Sequence, residues 1–219
     1  TPKVEVLVNQ EDPVKAQLSL INVVLLVVPL VTVVFGTVYL YNSREFIELL
    51  LGQPVERRQL YGGLYLGLTI PLAVVFVAAI GIPFAARGLE PSSWSALAAL
   101  TATGVVLTFV FAGMATLIAV RCEDRLRGLG TAIGSWLLLT VVYDGAVLFI
   151  LSAFSSYPLE RLTLGLMMTN PIDIARLALL VRFDGAALMG YTGAVFLKFF
   201  AGPEGVAIAL AALAIWIAL

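Results

Sequence analysis

The sequence has no histidine and a single cysteine, Cys122. Histidine is the commonest general base near neutral pH and the commonest metal ligand. Its absence removes imidazole catalysis, histidine-built metal sites and haem ligation by histidine. One cysteine excludes a disulfide within the chain. Charge is scarce as well: 12% of residues are Asp, Glu, Lys or Arg, against about 25% in soluble domains. The net charge of −1 suggests no nucleic-acid partner. No glycine-rich loop ends in Lys and Ser/Thr, so ATP is not bound by that route. Without a serine–histidine arrangement or a metal motif, an intramembrane enzyme is not indicated.

What the chain has in abundance is apolar length. Of its 219 residues, 61% are hydrophobic, and the mean hydropathy is +1.03. The expected fold class is therefore all-α, a polytopic transmembrane helix bundle in a single membrane domain. Spans are expected over Leu18 to Tyr41, Leu60 to Ile82, Trp94 to Val120, Leu129 to Phe154, and from Glu204 onward; each is near the ~20 residues a bilayer needs. Pro29 and Pro71 lie inside spans, where neighbours must satisfy the freed carbonyls. Residues 1–17 read as a segment outside the membrane, with a short strand at Val4 to Val8. Pro83 to Ser93 reads as a loop, with Ser92 or Ser93 capping the next helix. The chain starts at Thr1-Pro2 without a signal peptide and ends in the apolar run Ala214 to Leu219. More chain is expected on either side, including an earlier span.

Two stretches interrupt the apolar runs in an informative way. Residues 42–59 form a charged hairpin in which Arg44, Glu45 and Glu48 alternate with Phe46, Leu49 and Leu50 at helical spacing. Gly52 and Pro54 end that helix, and Arg57 and Arg58 precede the next span. It reads either as a coupling helix moved by a cytosolic motor or as a helix lying on lipid headgroups. Residues 155–203 are a long segment with shorter apolar pieces. Within it Asn170, Pro171 and Asp173 read as N-cap, first helical residue and reciprocal acid, with the helix running to about Arg182 and an Asp173–Arg176 pair one turn apart. A second interfacial or re-entrant helix is expected from Ala186 to Phe200. The hairpin carries Arg44, Arg57 and Arg58, and the loop after the third span carries Arg121, Arg125 and Arg127. Both fall on one side by crossing count, which the positive-inside rule makes cytoplasmic. Residues 155–203 then lie outside.

Other features are weaker. Asp144 lies inside a span, where an ionisable group costs roughly 2.5–3.5 kcal/mol on insertion scales and is a site by default. The favoured reading is a structural pair with an arginine of the outer segment, such as Arg176 or Arg182. Gly63/Gly67 and Gly130/Gly134 are Gly-xxx-Gly pairs suited to close packing within or between subunits. Met167 and Met168 could offer thioethers to Cu(I), but adjacent residues of a helix point about 100° apart. A hydrophobic contact fits them better.

The run Ser43 to Arg58 resembles the cytoplasmic coupling element of type-two ABC exporter permeases, in sequence and in its place between two spans. Val142 to Gly145, Tyr157 to Glu160, Asn170 to Arg176 and Gly190 to Phe196 resemble the NosY-type branch, which works in nitrous oxide reductase maturation. The resemblance implies a multi-pass protein of the bacterial inner membrane that is not itself an enzyme. It implies a second copy of the chain, a cytosolic ABC ATPase dimer holding ATP and magnesium, and a periplasmic β-helical partner, in a system supplying copper or sulfur. The coupling residues would be Arg44, Glu45, Phe46, Glu48, Leu49, Leu50, Arg57 and Arg58. Those facing the outer partner or pathway would be Asp144, Asn170, Pro171, Asp173 and Arg176. No copper ligands or other cofactor site are expected in this chain. The rival readings are an ABC exporter of lipid, drug or haem, and an ion-coupled secondary transporter using Asp144.

Overall fold

In a computed structural model the described residues are 2–52, 54, 56–87, 93–154, 160–182 and 211–217. They form an all-α bundle, and no strand occurs among them. The helices are α1 (Pro2–Asn42), α2 (Arg44–Leu51), α3 (Arg57–Arg87), α4 (Ser93–Arg121), α5 (Arg125–Leu137), α6 (Tyr143–Ala153), α7 (Glu160–Thr169) and α8 (Pro171–Arg182). A π-helical turn, Leu138–Val142, joins α5 to α6 and makes one long span of them. Four stretches are long and apolar enough to cross a membrane: Ser19–Asn42, Arg57–Ala86, Leu97–Arg121 and Arg125–Ala153. Residues 211–217 are helical. The rest of the fifth expected span, the helix expected at Ala186 to Phe200, and Gln53, Val55 and Ser92 lie outside the described residues.

Two expectations about local structure are corrected. Val4 to Val8 belong to α1 and form no strand. A lone strand leaves its backbone groups without partners, whereas a continued helix pairs them internally. Pro83 to Arg87 belong to α3 and not to the loop expected there, while residues 88–92 lie outside the described residues. A proline within a helix removes one hydrogen bond but need not end it when the flanking run is apolar.

α4 lies at the centre. It packs against α1, α3, α5 and α8, and 50% of its apolar window is buried, against 17% for α3 and for the α5–α6 span. Val33 of α1, Leu107, Val110 and Phe111 of α4, and Ile172 and Ala175 of α8 share the main core. Helices approach closely where a side chain is missing. A Cβ at Gly104 would overlap the Phe76 ring, and one at Gly36 would sit 2.8 Å from the Ala115 methyl. The two Gly-xxx-Gly pairs are not used this way within the chain. A Cβ at Gly63, Gly130 or Gly134 would meet nothing within 4 Å, and at Gly67 only the Tyr39 hydroxyl at 3.9 Å.

Candidate functional site: the hairpin and a buried polar network

The hairpin residues come together at one end of the bundle. α2 starts after Ser43 and stops at Gly52, as Gly52 and Pro54 predict, although Gly52 keeps an ordinary right-handed backbone. Its two faces differ. Ile47 and Leu50 pack against Leu40, Leu60, Leu64 and Ala119. Glu45, Phe46, Glu48 and Leu49 face outward, Phe46 being 58% and Leu49 73% exposed. The apolar set predicted as one face is therefore divided: Leu50 anchors the helix, while Phe46 and Leu49 are presented. Arg57 and Arg58 are exposed at the start of α3.

Arg44 behaves differently from its neighbours. Its guanidinium donates to the carbonyl oxygens of Ala119 (3.2 Å), Cys122 (2.7 Å) and Glu123, the end of α4 and the residues just after it. Such carbonyls lack helical partners and carry the negative end of the helix dipole. The guanidinium also stands 4.7 Å above the Tyr41 ring. These bonds place the hairpin and the α4–α5 corner at the same end of the molecule, in agreement with the crossing count. Between α2 and the bundle lies a cavity of about 210 Å³ lined by residues including Leu40, Ile47, Tyr61, Thr116 and Ala119.

The second polar group is built around the N-terminus of α8. Asn170 caps the helix: its side-chain oxygen accepts from the Ile172 N–H at 3.1 Å, and Pro171 follows as the first helical residue. The Asn170 amide nitrogen donates to the Leu139 carbonyl at 2.7 Å and to Asp173 at 3.1 Å. Leu139 belongs to the π turn. Arg176 then bridges two acids, Asp144 Oδ2 at 2.9 Å and Asp173 Oδ1 at 3.3 Å. Asp173 is buried; Asp144 and Arg176 are each about 30% exposed. All five residues expected for the outer site are thus assembled in one place. Asp144 is paired as the structural reading had it, with Arg176; the side chain of Arg182 lies outside what is described. Two carboxylates facing one guanidinium hold the α5–α6 span to α8. Met167 and Met168 pack against the apolar cluster of Ile174, Leu177 and Leu213.

Two features escaped the sequence reading. The π turn has a faint signal in the β-branched run Thr140-Val141-Val142, which crowds a helix. The inward role of Arg44 has none, because it depends on a helix end 75 residues or more away.

A bundle of long apolar helices, with an amphipathic helix between two spans at one end and a short helix pinned by charge to a span elsewhere, is the membrane domain of a multi-pass protein. Two named proteins are similar to it in sequence. The chain is similar to "Probable ABC transporter permease protein NosY" of Pseudomonas aeruginosa, 28% identical over 180 residues, or 78% of this chain and 66% of that protein. It is similar to the protein of the same name in Stutzerimonas stutzeri, 29% identical over 147 residues, or 64% of this chain and 53% of that one. The matches thus span less than two thirds of either relative's length. No protein-family model matches. The resemblance to NosY-type ABC transporter permeases, stated on the hairpin and outer-segment motifs, holds.

Proposed function

We infer that the chain is the membrane permease subunit of an ABC transporter, driven by a separate cytosolic ATPase through α2. The observation that carries this reading is the division of α2: Ile47 and Leu50 seat it on the bundle, while Phe46 and Leu49 stand outward between Glu45 and Glu48. A helix lying on an anionic lipid surface would present basic residues there instead of two acids. A protein groove fits an apolar pair flanked by charge. The names of the relatives support the same class. ATP and magnesium would belong to the ATPase dimer, and the chain would work in the bacterial inner membrane as one of two copies. By the same resemblance, the outer network at Asp144, Asn170, Pro171, Asp173 and Arg176 would respond to that motion. It would serve a periplasmic β-helical partner and the supply of copper or sulfur to nitrous oxide reductase.

The test is co-purification and ATP hydrolysis with the cognate ATPase in lipid. Leu49→Arg places a charge on the presented face, away from the packing of Ile47 and Leu50. It is expected to weaken ATPase binding by at least about tenfold, the scale of losing one buried apolar anchor, and to leave the thermal stability of the bundle unchanged. Binding at parent affinity in both Leu49→Arg and Phe46→Asp would remove α2 as the docking element.

A further inference from the structure

The hairpin's first helical residue is directed to the end of α4, and this bears on how a push on α2 would travel. α2 is joined by the backbone to α1, where the Ser43 N–H donates to Tyr39 O and the Ile47 N–H to Ser43 O. It is joined to α3 through residues 52–56. The covalent route therefore leads to α1 and α3. Arg44 supplies another, reaching Ala119 O, Cys122 O and Glu123 O at the end of α4. One planar, rigid fork gripping three backbone carbonyls fixes orientation as well as distance. Tyr41 adds to the same joint. Its hydroxyl donates to Cys122 O at 2.8 Å, and Gly128 makes room for it, since a Cβ there would overlap that hydroxyl.

We propose that Arg44 is a positioning residue that makes the hairpin and the cytoplasmic end of α4 one rigid body, so that displacement of α2 reaches the central helix directly. α4 shares the main core with α8 through Leu100, Leu107, Ile172 and Leu179. The tie therefore gives the hairpin a mechanical route to the opposite polar network that does not pass through α1 or α3. The existence of the tie stands on the geometry of Arg44; the direction in which it carries force rests on the proposed docking of an ATPase at α2.

The test separates the two. In the full-length protein in lipid nanodiscs, spin labels are placed at Leu49→Cys in α2 and Leu117→Cys in α4, in a Cys122→Ser background. Both labelled side chains are exposed and neither takes part in the tie. A single narrow distance distribution is expected with Arg44 present. Arg44→Gln should at least double its width, and Arg44→Lys, which keeps the charge but not the fork, should fall between. An unchanged width in Arg44→Gln overturns the tie. Equal broadening in Arg44→Gln and Arg44→Lys, with loss of thermal stability in both, reduces Arg44 to a folding residue and also overturns it. The role in coupling is read with the ATPase bound, in the parent and in Arg44→Gln, with the response normalised to the ATP hydrolysed. The ATP-driven change in hydrogen exchange of α8 should fall about tenfold in Arg44→Gln, the equilibrium equivalent of one charge-assisted bond; an equal change in both proteins overturns the role in coupling. If the ATPase fails to bind the parent protein, the proposed function falls, and the distance measurement still decides the tie.

Discussion

The residues that matter most here each hold two partners. Arg176 is the clearest case. It faces Asp144 and Asp173 together, so the two acids are not equivalent to it in mutation. Removing Asp144 leaves one acid for one guanidinium. Removing Arg176 leaves two carboxylates facing each other next to a buried helix start. Arg176→Gln is therefore expected to destabilise the protein more than Asp144→Asn, by about 1–2 kcal/mol, a value reduced for the partial exposure of Arg176. Thermal unfolding in detergent with both variants checks it, and equal losses would contradict the shared-counter-ion geometry. Gly128 gives a steric prediction of the same scale. Gly128→Ala drives a methyl into the Tyr41 hydroxyl and should cost about 1–3 kcal/mol as overpacking, with part of that restored by Tyr41→Phe. The acidic pair was partly legible in the sequence: an aspartate inside an apolar span needs a partner, and the outer segment offered Arg176. Gly128 was not legible, because its reason is a side chain from another helix.

Among the elements, α8 shows what sequence does encode. Asn170, Pro171 and Asp173 give its start, Arg176 falls one turn on, and α8 is helical as far as Arg182, the last described residue of this stretch. These signals are local, and the local chemistry of a helix start decides them. Its position against the π turn is not local, and depends on the Asn170 amide reaching Leu139 O. The two functions of Asn170 can be separated. Asn170→Asp keeps an acceptor for Ile172 N–H but loses the donor to Leu139 and sets a third carboxylate beside Asp173. Asn170→Ala loses both functions. Each variant should loosen α8, the alanine by about 1–2 kcal/mol for the cap alone. Hydrogen exchange of α8 should rise in both while α4 stays protected. Protection of α8 at the parent level in Asn170→Asp would show that the π-turn contact does not hold it. The misjudged elements, Val4 to Val8 and the residues after Pro83, were read by composition. Continuation of a helix through proline or past a polar boundary depends on what surrounds it.

For the whole molecule, four of the five expected spans and the all-α class follow from hydropathy alone, because a membrane admits few backbone arrangements. Assembly is harder to read, and the glycines show why. Gly-xxx-Gly pairs predict close packing but not with what. The structure removes one answer, since Gly63, Gly130 and Gly134 touch nothing within the described bundle. It leaves α3 and the α5–α6 span mostly uncovered. Small residues favour a helix at close approach over lipid tails. If a second copy of the chain met it along α5, Gly134→Leu should abolish any dimer that cross-linking in membranes detects. Gly134→Ala should be mild in the monomer, where the added methyl has open space and helix propensity improves by up to about 1 kcal/mol. Gly63→Leu on α3 serves as the control for the other exposed face. Loss of the dimer only in Gly63→Leu moves the interface to α3, and survival of the dimer in both variants assigns the glycine faces to lipid.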